Sequence, residues 1–211
     1  MNSQLVKIYH LATFVVLLVS FIYNQIHVRD EDGGGLLSYK GFAGKFKYLT
    51  FWYFCIQTLY FGITVLNDFC GSNVRPSEKG QKISSLQKFR DYFLATLVFP
   101  VGMHTTIVPF LLVEKYIVYH QYPPRKYGLM TLLGFALLYL VWILWIAYYA
   151  NIWVYPILKV LQPHQRAVFI IVLLFLFISL YILGESINKF FWGKERSVVQ
   201  SRKMKNSQKV K

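Results

Sequence analysis

The sequence predicts an all-α fold, a polytopic membrane helix bundle, and three observations carry that expectation. Of the 211 residues, 55% are hydrophobic and 18% aromatic, too apolar a mixture for an ordinary soluble domain. The apolar residues gather into five runs, Ile8–Tyr23, Tyr48–Leu66, Tyr92–Val113, Gly128–Ala150 and Ala167–Gly184. Most of them reach the roughly 20 residues that cross about 30 Å of hydrocarbon. All 23 lysines and arginines lie between or beyond the runs. In lipid a backbone must satisfy its own polar groups, and an open-ended chain does so only as helix.

The first run follows Lys7, but its exit "SFIYNQIHVRD" has no small-residue cleavage pattern, so it reads as a retained span. A polar loop with a hinge at Gly33–Gly35 leads to the second run. The next loop, "NDFCGSNVRPSEKGQKISSLQKFRD", has room in its latter half for one short amphipathic turn. The third run carries Pro100 and Gly102 inside it; at 22 residues it measures about 33 Å as helix, one crossing. Pro123–Pro124 then forces an extended segment before the fourth run. Trp153 and Tyr155 follow, placed like interfacial aromatic anchors, before the fifth run. Residues 1–192 therefore read as a single multipass membrane domain, and 193–211 as a basic, disordered cytosolic tail.

The net charge of +14 sits in loops and tail and speaks of topology and anionic lipid; no nucleic-acid-binding pattern accompanies it. If each run crosses once, the two sides share the lysines and arginines 15 to 8. If the third run contributes an even number of crossings, the division becomes 17 to 6, with both termini on the rich side. The positive-inside rule favours the second division, while the length of the run favours a single crossing.

No HxxxH, HExxH, GxSxG, Walker A or dinucleotide fingerprint occurs, so no metal or cofactor is implied. Cys55 and Cys70 form no CxxC; the first reads as a packing residue within a span. The remaining polar groups at or inside span ends are Thr50, Gln57, Asp68, Arg90, Asp91, His104, Thr105, Thr106, Glu185 and Asn188. Ionisable groups in hydrocarbon are costly and often functional, which singles out His104 and Glu185. The plainer reading is hydrogen bonding between helices, worth about 0.6 kcal/mol each.

Several blocks in one order, "GKFKYLTFWYFCIQTLYFGITVLND", "SSLQKFRDYFLATLVFPVG", "MHTTIVPF", "HQYPPRKYGL", "WVYPIL" and "YILGESIN", resemble the androgen-induced protein family from about Ile8 to Trp192. The resemblance implies a multipass membrane hydrolase of fatty acid esters of hydroxy fatty acids, with a threonine nucleophile and a histidine base. The family threonine follows W-K-[YF]-[LM], matched here by Phe46-Lys47-Tyr48-Leu49-Thr50, with Phe for Trp; the family histidine matches Met103-His104-Thr105. Thr105 and Thr106 are the accompanying candidates for oxyanion donors.

The family pattern has six spans and roughly 35 further residues between the blocks that here meet at Gly102 and Met103, enough for one more span and its loop. In a simple fusion, His104 falls near the middle of one span, offset from Thr50 by roughly 8–10 Å along the axis. That is beyond the approximately 3.2 Å reach of a base, and such a chain would be inactive. A re-entrant turn at Pro100 and Gly102 would instead restore the match. The expected function is a threonine-type lipid ester hydrolase in the cell membrane or endomembrane system, taking its substrate laterally from the bilayer. The alternative is a non-catalytic membrane regulator or scaffold acting through its loops and tail.

Overall fold

Which runs cross the membrane is decided by where their polar ends meet. The computed structural model describes residues 3–27, 42–75, 78, 81–102 and 107–208, with side chains described as far as residue 193; the described residues form helices and no strand. Helix α1 (Ser3–His27) packs antiparallel to α2 (Leu49–Cys70). His10 near the start of α1 bonds Asp68 near the end of α2, Nδ1 to Oδ2 at 2.5 Å. At the other end Lys45, in the 3-10 turn Gly44–Lys47 that leads into α2, donates to both oxygens of Asn24.

The third run does not cross. Helix α3 (Ser85–Phe93) begins where Ser84 Oγ accepts the Gln87 N–H at 3.0 Å, an N-cap that realises the amphipathic turn expected there. It continues through a π-helical turn, Leu94–Val98, into α4 (Phe99–Gly102). The wide turn falls just ahead of Pro100, which has no N–H to complete a regular ladder. The chain resumes as α5 (Val108–Ile117), with Pro109 in its first turn.

Asp91 in α3 and Glu114 near the end of α5 then converge on one imidazole. His120 Nδ1 lies 2.9 Å from Asp91 Oδ1, and its Nε2 lies 3.2 Å from Glu114 Oε1. A straight helix would hold residues 91 and 114 about 34 Å apart. The run is therefore a re-entrant hairpin, and the fused single span is excluded.

Helices α6 (Arg125–Tyr149) and α8 (Pro163–Gln208) complete the bundle, joined by the short α7 (Pro156–Val160). Proline stands at or just before the first residue of all three, where a missing N–H costs nothing. Four helices, α1, α2, α6 and α8 as far as Gly193, are long and apolar enough to span a bilayer. Their outward side chains, among them Val16, Leu137 and Phe175, are more than half exposed, as lipid-facing residues should be. Tyr53, Tyr60, Phe61, Leu94, Val98, Phe99 and Leu111 form the core around the hairpin.

Gly102 lets the hairpin close on α2: a Cβ there would lie 2.0 Å from the Tyr53 hydroxyl oxygen. Lys115 ties α5 to α8. Its buried ammonium sits 4.4 and 4.5 Å from the ring centroids of Phe99 and Tyr122 and donates to the Gly184 carbonyl at 3.3 Å. The backbone of α8 stays helical as far as Gln208, within the stretch from 193 onward that the sequence reads as a disordered tail. Gly193 is the only helix-weakening glycine or proline in that stretch, so nothing in it stops a helix already begun.

With the hairpin returning to its own side, the start of α1, the loop after α2, the segment 118–124 and the end of α8 share one end of the bundle. That is the 17-to-6 division of charge, and the positive-inside rule predicts a cytosolic location for the rich side. Epitope tags at positions 2 and 211 should both be reached from the cytosol under selective permeabilisation. Tags on opposite faces would contradict the hairpin. Glu114→Ala should cost about 3–5 kcal/mol, the penalty for orphaning buried charged partners, read as a large loss of thermal stability in detergent. An unchanged melting temperature would mean that the cluster does not hold the hairpin.

Candidate functional site

Polar side chains collect at both ends of the bundle, and the two collections differ in kind. At the end rich in lysine and arginine most of the groups bond one another, although Asn67 Oδ1 and Asn188 Oδ1 find no partner. Glu114, fully buried, accepts from Tyr60 Oη at 2.9 Å and is 2.9 Å from His10 Nε2. Arg90 donates to Asp91 at 2.7 and 3.1 Å and also to Asn73, while Asn73 donates to Asp68 at 2.9 Å. Asn188 Nδ2 donates to the His120 carbonyl at 3.0 Å. Glu185 pairs with Arg125 at 2.7 Å and Lys189 at 2.5 Å. Asp68, Arg90, Asp91, Glu185 and Asn188 were legible as polar groups at span ends, and here they belong to structural networks. His10, Tyr60, Glu114 and His120 were not singled out, although a histidine and a glutamate bordering apolar runs were signals in plain view. Among the described residues no group of three or more His, Cys, Asp or Glu side chains is arranged to hold a metal ion.

At the opposite end lies a cavity of about 490 Å³ between α1, α2 and the start of α5. Thr50 and Gln57 line it from α2, with Tyr53 and Phe54 between them; Leu17, Ser20 and Asn24 line it from α1; Lys45 and Tyr48 border it from the entry to α2. Ile107 and Phe110 close it from the hairpin. His104, Thr105 and Thr106 lie outside the described residues, but the chain on both sides of them is placed. Gly102 abuts Tyr53, and Ile107 faces the same cavity as Thr50.

Thr50 stands in the first turn of α2, and the segment before it is held by its backbone. The Phe46 carbonyl accepts two indole N–H groups, from Trp52 at 2.7 Å and Trp142 at 2.9 Å. The Lys47 carbonyl accepts from Tyr139 Oη at 2.8 Å, and the Leu49 N–H donates to Tyr155 Oη at 3.4 Å. The two phenols also bond each other at 2.9 Å, so Tyr155 serves the interior where an interfacial anchor was expected. Phe46 is held through its carbonyl, and its largely exposed ring packs edge-to-face on Phe51 at 4.9 Å.

Comparison with known proteins bears on the origin of this arrangement. The profile of the FAR-17a/AIG1-like protein family matches residues 5–103 and 101–189. The chain belongs to the FAR-17a/AIG1-like protein family. It is 31% identical over 202 residues to the androgen-induced gene 1 protein of Homo sapiens, covering 78% of this chain and 85% of the relative. It is 29% identical over 195 residues to the androgen-dependent TFPI-regulating protein of Homo sapiens, covering 76% and 83%. To the protein of the latter name from Mus musculus it is 30% identical over 186 residues, covering 72% and 79%. No solved structure matches the chain. The two family matches meet at residues 101–103, beside Gly102. Moreover, 78% of 211 residues is about 165, so a 202-residue alignment leaves about 37 positions of the first relative without a counterpart. Both observations agree with an internal segment missing at that junction.

The clamp before Thr50 can be tested without any assay of activity. Tyr139→Phe removes one hydroxyl that serves both Lys47 and Tyr155, at a cost of about 1 kcal/mol. Amide hydrogen exchange over residues 46–50 should quicken several-fold while exchange around Glu114 stays unchanged. Unaltered exchange at 46–50 would show that the phenol does not hold the segment.

Proposed function

We propose that the chain is a membrane-embedded threonine-type hydrolase of fatty acid esters of hydroxy fatty acids, with Thr50 as nucleophile and His104 as base. The observation that carries this reading is the shared lining: Thr50 borders the same cavity as Ile107 and Phe110, three and six residues after His104. The resemblance of Phe46–Thr50 and Met103–Thr105 to the family's motifs supplies the roles. A straight fused span would have separated the pair along the membrane normal; the hairpin removes that objection.

In this mechanism the imidazole takes the Thr50 hydroxyl proton as the oxygen attacks the ester carbonyl. The tetrahedral oxyanion lies beside the first turn of α2, and the hydroxyls of Thr105 and Thr106 are its candidate donors. Collapse breaks the bond to the hydroxy-acid oxygen, which leaves with the proton from the imidazolium. Water then attacks the acyl-threonine, gives its proton to the imidazole, and the freed Thr50 oxygen recovers that proton as the fatty acid leaves. The cavity falls within the roughly 300–1,000 Å³ usual for ligand sites, and its apolar walls suit an acyl chain.

Thr50→Ala and His104→Ala should each lower hydrolysis of such an ester by at least about 100-fold, with the folded protein quantified in the same sample. The double variant should lose little more than either single one, because the two act as a unit. Independent multiplication of the two losses would break the pair. Full activity in Thr50→Ala would remove Thr50 as the nucleophile, and no hydrolysis by the unaltered chain would leave the scaffold reading in its place.

A further inference from the structure

The cavity beside Thr50 is neutral except at its rim. Among the described residues that line it, Lys45 alone carries a formal charge, and none is acidic. The half-buried ammonium has a fixed place: it donates to the Asn24 carbonyl and, at 3.0 Å, to Asn24 Oδ1. That carbonyl belongs to the last turn of α1, where C=O groups lack helical partners, so capping the helix accounts for where the side chain reaches. The two Asn24 oxygens are uncharged, and these bonds do not neutralise the ammonium. Lys45 precedes α2, Thr50 stands in its first turn, and Gln57 lies two turns further in, about 10 Å along the axis. Gln57 is only 8% exposed and its Oε1 accepts no hydrogen bond among the described residues, so the lining does not close on itself and the space stands open to a guest. Val16 and Phe110, both exposed, flank it on the bilayer side.

We propose that Lys45 is the specificity-determining residue of this site: it pairs with an ionised carboxylate on the alcohol half of the ester, and so selects esters that carry a free acid over neutral ones. An anion belongs at this level, beyond the end of the span where water still reaches, and not beside Phe54 or Gln57 in hydrocarbon. With the carboxylate held at the rim, the ester carbonyl comes to rest one level deeper, beside Thr50. The acyl half then passes between Val16 and Phe110 into lipid. A triacylglycerol has acyl chains but no anion, and gains nothing from Lys45. The pairing also sets the direction of the ester: the half tied to the rim is the alcohol, which departs toward water once Thr50 has taken the acyl group. The position of the ester rests on the hydrolase reading above, but binding of the anion needs no turnover.

The test measures binding by the full-length chain in phosphatidylcholine nanodiscs. The probe is an ether analogue of a palmitoyloxystearic acid, its ester carbonyl replaced by a methylene, supplied as the free acid and as the N-methylamide. The acid should bind about tenfold more tightly, the scale of one charge-assisted hydrogen bond at a half-buried position. Lys45→Gln keeps an N–H donor for Asn24 and removes the charge, and should bring the ratio of the two affinities close to one. Equal binding by the unaltered chain, a ratio that survives in Lys45→Gln, or no binding of either compound would each overturn the proposal. Should Lys45→Gln not fold, footprinting of the unaltered chain with an amine-acylating reagent decides. At equal occupancy the acid should shield Lys45 several-fold better than the amide, and equal shielding would overturn the pairing. A chain that binds the acid through Lys45 yet hydrolyses no ester would sink the enzymatic reading and leave this one standing.

Discussion

The fold hangs on one buried carboxylate. Glu114 sits at the base of the hairpin and draws in His10 from α1, Tyr60 from α2 and His120 from the segment after α5. In a medium without water, a charge of this kind is tolerable only if every oxygen has a donor. The requirement makes the arrangement all-or-none. Withdraw α5 and two histidines and a tyrosine lose their partner together. His120 extends the constraint to Asp91, and through it to Arg90 and Asn73. Five separate stretches of chain are thus fixed at one depth by hydrogen bonds, while the apolar core around Tyr53, Leu94 and Phe99 fills the space below them.

That anchor and the cavity stand at opposite ends of α2, about 27 Å apart from Asp68 to Thr50. The separation divides the labour. Most polar groups at the end that holds Glu114 bond one another, with Asn67 Oδ1 and Asn188 Oδ1 left over. At the far end the backbone around Phe46–Leu49 is clamped, while Thr50 and Gln57 face space. Under the proposed function, the nucleophile would stand on a rigid helix start open to the bilayer side. That setting would also explain why the rigidity is built from Trp52, Trp142, Tyr139 and Tyr155, which fasten backbone carbonyls and amides without adding charge.

The spans were legible because lipid simplifies the code. Gly128–Ala150 in the sequence became Arg125–Tyr149, and Tyr48–Leu66 became Leu49–Cys70, each end set by proline, glycine or a change of polarity. The uneven sharing of lysine and arginine pointed to an even contribution from the third run, and the meeting of Asp91 and Glu114 on His120 agrees with it. What could not be read was pairing across distance. His10 and Glu114 lie 104 residues apart, and Tyr139 and Lys47 lie 92 apart. Neither pair has a local signature. Thr50 came from a motif, and only the folded chain put Ile107 across a cavity from it. Gln57 was visible as a polar residue in a span, but its idle oxygen is a property of packing.

The hairpin has a consequence for how such a chain tolerates rearrangement. A segment that enters and leaves by one face contributes zero to the count of crossings, and a pair of full spans contributes two. The parity is the same. Exchanging one for the other leaves α6 and α8 with their original orientation, and the membrane-insertion machinery meets no conflict downstream. Loss of a single span elsewhere would invert everything after it. The junction at Gly102 is thus the kind of place in a multipass chain where a segment of this size can vanish without turning the remainder of the protein upside down.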